Sequence, residues 1–407
     1  MKKVTLAAVL VAGTLALAAC GSDSSGGGGK SDGDIMIGSV HPLTGALAGV
    51  GALMNDGAKM AVDDVNDDGG IKSLGGRKLT LGEGDSKGAA DTGQSEAQRL
   101  ISDGAVALVG TYQSDVTANV SAVAERSKVP LVIDVAVDDS ILQQGYKDTF
   151  RIQPDATSMG TDGADDLIDL AEANGKPVKS VSYIHIEGAF GQSVFDAFKK
   201  EAEAKGVKVL KEVTYPATNF TDATTQVREA ASANPDVIVA TGYYPDQLLV
   251  AQAVEALHPD IDALYGVANG AFDDGSFPGD AGKAGENVLS ANYHYAATDS
   301  NVADIRKRFQ EKYGKPMETA SVLSYQAVMV IAQALDEAKS ADPQKVRDAI
   351  AGIEVDKPLL AFDGPIKFDE TGQNENATVI VMQTQGGKVE QVFPDQFATT
   401  KPVYPVK

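Results

Sequence analysis

The apolar run Ala105–Val109 is followed by Gly110-Thr111-Tyr112-Gln113-Ser114, and a helical stripe of Val116, Val120, Val123 and Ala124 then begins. A helix that starts where a buried strand ends presents free backbone N–H groups and the positive end of its dipole, which favours a carboxylate. The Ser114 hydroxyl adds one donor. The same residue types suit plain capping by Ser114 or Asp115, and the Asp115 charge opposes a bound anion. On residue type alone the position stays open between a binding niche and a cap. Two further strand ends have the same placement. Val135-Ala136-Val137 follows the strand 130–134, and Tyr243-Tyr244-Pro245-Asp246 follows the strand 236–240. An aromatic face at the latter can cover apolar surface or approach an ammonium.

Other chemistries lack their residues. The four histidines, His41, His185, His258 and His294, have no metal-ligand spacing with one another. The spacing Gly-x-Ser-x-Gly occurs twice, at 29–33 and 84–88, and by itself does not make a nucleophile elbow. Gly82-x-Gly84 is followed by Gly88, one residue late for a dinucleotide fingerprint, and Gly29-Lys30-Ser31 lacks the first glycine and the preceding strand of a P-loop. The reading is a non-catalytic binder with no cofactor and no metal.

The elements that must hold these strand ends alternate. The strand Ile35–Val40 precedes a helix marked by Met54, Ala58, Ala61, Val62 and Val65 at helical spacing. Strands at 78–85, 105–109 and 130–135 alternate with helices at 90–102 and 116–124. After about residue 155 the rhythm restarts, with strands at 180–185, 207–215, 236–240 and 263–266 and helices at 158–173, 191–204, 221–232 and 246–257. A strand at 288–295, helices at 300–313, 319–338 and 343–351, and strand-like segments at 366–368, 377–383 and 389–393 complete the chain. Such alternation predicts an α/β fold of two lobes, each a parallel-rich sheet covered by helices.

The N-terminus predicts an address. Lys2 and Lys3 precede an apolar stretch that ends in Leu17-Ala18-Ala19-Cys20, the pattern of a secretory leader. The cleavage site resembles the bacterial lipobox. That resemblance implies removal of residues 1–19, lipidation of Cys20, and a Gly/Ser tether over residues 20–34. Cys20 is the only cysteine, so no internal disulfide can form. The formal net charge of −22 repels nucleic acid and anionic lipid, which excludes both as partners. Contact with the membrane is expected through the anchor only.

Several segments together resemble the type I solute-binding proteins of ABC importers, in the leucine/isoleucine/valine-binding group. They are Pro42-Leu43-Thr44-Gly45, Asn66-Asp67-Asp68-Gly69-Gly70-Ile71, Gln144-Gly145-Tyr146, Phe150-Arg151, Thr241-Gly242-Tyr243-Tyr244-Pro245-Asp246 and Gly364-Pro365-Ile366-Lys367-Phe368-Asp369. The resemblance covers about residues 35–395. It implies two Rossmann-like lobes joined by a three-crossover hinge, with residues 35–155 and 287–365 in lobe 1 and residues 156–286 and 366–407 in lobe 2.

The resemblance also implies a site. Ser114 falls on the family's carboxylate binder. Ala136 and Val137 fall on a loop that grips the ligand through backbone groups and a threonine hydroxyl, with Val137 in the threonine's place. Phe190 matches a tyrosine that covers the ligand, and Tyr243 matches an aromatic after its strand. Ala268 occupies the slot of the acid that pairs with an amino acid's ammonium, with Asn269 beside it. Either Asp246, Asp273 or Asp274 takes over that charge, or the ligand has no α-ammonium. The implied function is capture of a small ligand, a branched-chain or other small amino acid, by hinge closure, and delivery to an ABC permease on the extracytoplasmic face. The alternatives are a ligand-sensing receptor subunit, a binder of a carboxylate or amide, and a secreted α/β hydrolase.

Overall fold

The computed structural model describes residues 33–406. The leader, Cys20 and nearly all of the tether lie outside the described residues. Five strands, β1 (Ile35–His41), β2 (Leu79–Asp85), β3 (Ala107–Gly110), β4 (Leu131–Ile133) and β5 (Thr149–Arg151), form a first sheet in the order β2-β1-β3-β4-β5. Every pair in it is parallel. Successive side chains of a strand point to opposite faces, and both faces here are apolar. Ile37, Ala107, Val109 and Val132 join a core with α1 (Ala48–Asp67) and α10 (Thr319–Ala338). Val40, Leu108, Leu131 and Ile133 join another with α2 (Ala90–Ser102) and α3 (Ser114–Ser127). The contact of α1 with α10 depends on Gly57, because a Cβ there would lie 2.3 Å from the Ser321 carbonyl oxygen.

The second sheet has seven strands. They are β6 (Ser180–Ile186), β7 (Lys208–Tyr215), β8 (Val237–Gly242), β9 (Ala263–Asn269), β10 (Leu289–Asn292), β13 (Ile380–Gln385) and β14 (Lys388–Phe393), in the order β14-β13-β10-β9-β8-β6-β7. The pairs β10–β13 and β13–β14 are antiparallel and the rest parallel. One face packs on α4 (Ala156–Ala173) and α5 (Ala189–Ala204). The other packs on α6 (Thr224–Ala231), α7 (Tyr244–Leu257) and the short α8 (Phe277–Ala281).

The chain passes between the sheets three times. The first passage follows β5. The second follows β10 and leads through α9 (Ser300–Tyr313) to α10 and α11 (Pro343–Ala351). The third follows a small ladder of β11 (Glu354–Val355) and β12 (Ile366–Lys367). The expected return to lobe 1 at 287 is corrected here. β10 hydrogen-bonds β9 on one side and β13 on the other, so residues 289–292 belong to the second sheet. A four-residue buried strand reads the same in either sheet, and only its partners decide.

The crossings are clasped around Arg151, which is buried. Its N–H donates to the Gly372 carbonyl and its carbonyl accepts from the Asn374 N–H. Its guanidinium donates to Gln373 Oε1 at 2.7 Å and to the carbonyls of Val137 and Asp138, each at 2.8 Å. Burial lowers the Arg151 pKa, while nearby Asp155, Asp139 and Asp138 oppose that shift.

Candidate functional site

Ligands of parallel α/β sheets sit beyond the carboxyl ends of the strands. Here the strand ends of both sheets face one cavity of about 80 Å³. The first sheet supplies Tyr112 and Ser114 after β3, and Val135, Ala136 and Val137 after β4. The second supplies Gly242 and Tyr243 at the end of β8, Ala268 and Asn269 at the end of β9, and Asn292 and Tyr293 at the end of β10. Phe190 comes from α5, and Glu318, Thr319 and Ala320 from the start of α10. At its first-sheet edge, Gly110 has φ +132°, and a Cβ there would meet the Val40 carbonyl oxygen at 2.4 Å. Only glycine lets β3 turn so close to β1.

Ser114 does not cap its own helix. The cap position of α3 is Gln113, which makes no side-chain capping bond. Ser114 Oγ instead accepts from the Asp138 N–H at 3.3 Å, tying the two first-sheet loops together. Asp115 accepts from the adjacent Val116 N–H. Ala136 is fixed from below, where its carbonyl accepts from Gln153 Nε2 at 2.8 Å.

Aromatic rings close the seam between the lobes. Tyr112 lies 5.4 Å from Tyr243, and Tyr243 stacks on Phe190 at 5.3 Å with a 25° interplanar angle. Burial, with nearby acids adding to it, pushes the Tyr112 hydroxyl well above the ordinary phenol range. The Ser193 hydroxyl of α5 donates to Asp138 Oδ1 across the same seam at 2.9 Å.

Of the residues expected in the site, Ser114, Ala136, Val137, Phe190, Tyr243 and Asn269 line this cavity. Asp246 does not. It lines a larger, outer cavity of about 500 Å³ that adjoins the first at Phe190 and Tyr243, together with Asp115, Lys87 and Glu187, and burial pushes its carboxyl up to about 6. Asn269 is corrected in its role. Its Nδ2 donates to the Ala240 carbonyl and to Gln247 Oε1, and its Oδ1 accepts from the Ala271 and Phe272 N–H groups. All four bonds of the side chain are thereby used within the protein. Beside it, Ala268 has φ +48°, a left-handed conformation that a non-glycine residue rarely adopts.

Residue types did not flag Glu318 and Thr319. Neither belongs to a motif, and both lie some 200 residues from the first-sheet loops they join. Asp273 and Asp274 also line the cavity. Asp273 accepts from Ser290 Oγ at 2.8 Å and Asn292 Nδ2 at 3.2 Å. Glu318 accepts from the Gly275 N–H at 2.9 Å. Burial pushes the Asp273 and Glu318 carboxyls up to about 7, and raises Asp274 as well.

A Ser-His-Asp series does exist, but outside the cavity. Ser39 Oγ lies 2.9 Å from His41 Nδ1, and His41 Nε2 lies 2.8 Å from Asp134 Oδ2. All three are at most 1% exposed and none lines the cavity, so no substrate reaches the hydroxyl. Among the described residues no cluster has the makings of a metal site, and no helix is long and apolar enough to cross a membrane.

Comparison with known proteins gives this architecture its relatives. A Leu/Ile/Val-binding protein homolog of Brucella abortus is 32% identical over 384 residues, covering 90% of this chain and 92% of the relative. A leucine-binding protein of Thermotoga maritima superposes with a TM-score of 0.76 at 24% identity, over 89% of this chain and 99% of that one. A solute-binding protein of an R. palustris ABC transporter, solved with benzoate, also gives 0.76, at 21% identity over 91% and 100%. These matches give no support to a hydrolase. Residues 34–388 match the family described as periplasmic binding protein, and the chain belongs to that family of substrate-binding proteins.

Proposed function

We propose that this chain is the extracytoplasmic capture component of an ABC importer, anchored through a lipid on Cys20, and that it closes its two lobes on a small amino acid with an aliphatic side chain. The observation that carries this reading is the shared cavity. Each lobe supplies about half of its wall, and the wall offers an uncapped helix N-terminus beside Ser114, apolar surface from Val50, Val135, Val137 and Ala320, and the rings of Phe190 and Tyr243. The ligand's carboxylate docks first on the Ser114 side of lobe 1. The second lobe then swings about the three crossovers and brings its aromatic cover over the side chain, excluding water. Contacts made only in the closed form stabilise that form. A membrane permease reads the closed shape and takes up the ligand. At least two acyl chains on Cys20 hold the protein at the membrane, and the tether gives it reach.

The test is calorimetric titration of the mature chain against amino acids, amides, short-chain acids and aromatic acids. Ser114→Ala is expected to weaken the best ligand by about 1.5 kcal/mol, the worth of a hydrogen bond to a charged group. Tyr243→Ala is expected to cost about 2 kcal/mol, as for a buried aromatic anchor. Unchanged affinity in both variants would place the ligand elsewhere. Cys20→Ala is expected to release the protein from the membrane fraction.

A further inference from the structure

A run of polar side chains in lobe 1 has its hydrogen bonds ordered from the surface inward. Exposed Glu83 accepts from Lys59 Nζ at 2.9 Å and from Asn55 Nδ2 at 2.7 Å. With its amide nitrogen facing that carboxylate, Asn55 turns Oδ1 to Ser39, and the Ser39 hydroxyl donates to it at 2.9 Å. A hydroxyl has one proton, so Ser39 Oγ has none left for His41 Nδ1, 2.9 Å away. Nδ1 must therefore donate. On the other side of the ring, Nε2 lies 2.8 Å from Asp134 Oδ2, an oxygen that also accepts from Ser324 Oγ at 2.6 Å. There too the ring is the donor. A neutral imidazole donates from one nitrogen and accepts at the other, and both nitrogens donate only in the imidazolium.

We propose that His41 is a positioning residue of the binding site, working as a buried imidazolium that holds Asp134 and, through it, two segments of the lobe 1 wall. The role rests on the reading that the cavity between the lobes is where the ligand binds. The protonation of the ring does not.

Burial gives the same answer. His41 and Asp134 are each 0% exposed, and Asp134 Oδ1 has no hydrogen-bond partner. A buried carboxylate so placed is costly without a cation in contact, and among the described residues its ion pair is with His41. The wall segments follow directly. Asp134 precedes Val135, which lines the cavity. Ser324 sits one turn beyond Ala320, another lining residue, and its Oγ also lies 3.2 Å from the Ala320 carbonyl. The ring thus joins the end of β1, the end of β4 and the first turns of α10 at one point. In a neutral ring one of the two contacts, to Ser39 or to Asp134, becomes an acceptor facing an acceptor, and the wall loses its fixed backing.

The experiment reads the ring itself by nuclear magnetic resonance. In the isotope-labelled mature chain at pH 7.5, the ring nitrogens of His41 are assigned through their bonds to its own backbone. Both are expected at the chemical shifts of an imidazolium, with neither at that of an unprotonated imidazole nitrogen. Asn55→Leu removes the acceptor that the Ser39 hydroxyl uses. That hydroxyl can then turn to Nδ1, and the ring is expected to become neutral with its proton on Nε2. Ser39→Ala strips Nδ1 of its partner and is expected to do the same. Each variant is checked for folding by thermal melting. In both, the backbone amide signals of Val135, Ala136 and Ala320 are expected to move, and affinity for L-leucine and L-valine, read by calorimetry, to fall about fivefold. A neutral ring in the wild-type chain overturns the proposal, as does an imidazolium that persists in both variants. A ring that turns neutral while those amide signals stay in place overturns the positioning role. So does unchanged affinity for an amino acid that the wild-type chain binds. A wild-type chain that binds neither amino acid overturns the proposed ligand class, and the ring and amide signals still decide the role of His41.

Discussion

One buried carboxylate and a cluster of three acids lie close to the cavity, and they are partnered in opposite ways. Asp134 precedes the wall residue Val135 and is wholly buried, accepting from His41 Nε2 at 2.8 Å and from Ser324 Oγ at 2.6 Å. His41 continues to Ser39 and Ser39 to Asn55, so one chain of side chains joins β1, β4, α1 and α10. Asp273, Asp274 and Glu318 line the cavity and meet only neutral donors. The first group has an ionisable partner inside the protein and braces the floor of the site. Among the described residues the second has no charged hydrogen-bond partner, the nearby cation Arg306 opposing the rise of the Glu318 pKa from a distance while it donates to the Met317 carbonyl. Burial of an acid therefore says little about its role until its partners are counted.

The largest effect that would break this comparison is on stability. Asp134→Ala leaves buried His41 Nε2 without its acceptor and Ser324 with only the Ala320 carbonyl, and is expected to cost about 3 kcal/mol in denaturant unfolding. A loss under about 1 kcal/mol would show that the floor network is not a brace. The next effect is in pH. Asp273 and Glu318 are raised to about 7 in the fold, and Asp246 and Asp162 to about 6. A carboxyl raised on folding contributes stability that is fully present below its unfolded pKa and lost as pH rises through its folded one. Burial holds His294 down at about 3, which opposes this as pH falls below 6.5. It is one group against several, so the ligand-free chain is expected to be more stable at pH 5 than at pH 8, by several kcal/mol. Saturation with the ligand should shrink the difference, and a flat profile in the ligand-free chain would remove the contrast between the two groups. The smallest effect is a control. Asp115 is exposed in the outer cavity, and Asp115→Asn is expected to change affinity by about 0.5 kcal/mol or less.

Much of this was legible before any coordinates. Alternating apolar runs and helical stripes located most of the strands and helices, because burial on both faces of a parallel sheet leaves strong local patterns. The short β5 was marked only through Phe150-Arg151, and α8 left no pattern. The placement of Ser114 and Tyr243 at strand ends was legible from the apolar runs before them, whereas only the family resemblance chose a binding niche over a helix cap for Ser114. Asn269 lines the cavity as expected, but its side chain is spent within the protein. Asn-Gly after a buried strand is a turn signal, and that turn consumes the side chain. Glu318 was illegible for a different reason. It is one of 57 acidic residues, and only the packing of α10 against the first sheet carries it to the loop after β9. The sheet membership of β10 failed in the same way, since pairing is a long-range fact with no local trace.

The clasp at Arg151 has a consequence for how occupancy becomes motion. The segment 372–374 is stitched to β5 at the crossings, and the same guanidinium grips the carbonyls behind Val137 and Asp138. In the proposed hinge closure, the pivot and the landing platform are braced by one side chain. A guest set down on that platform would keep its distance from the axle as the jaws turn. Loosening the axle would blur the platform too, so wear at the bearing would be felt first as a poorer grip.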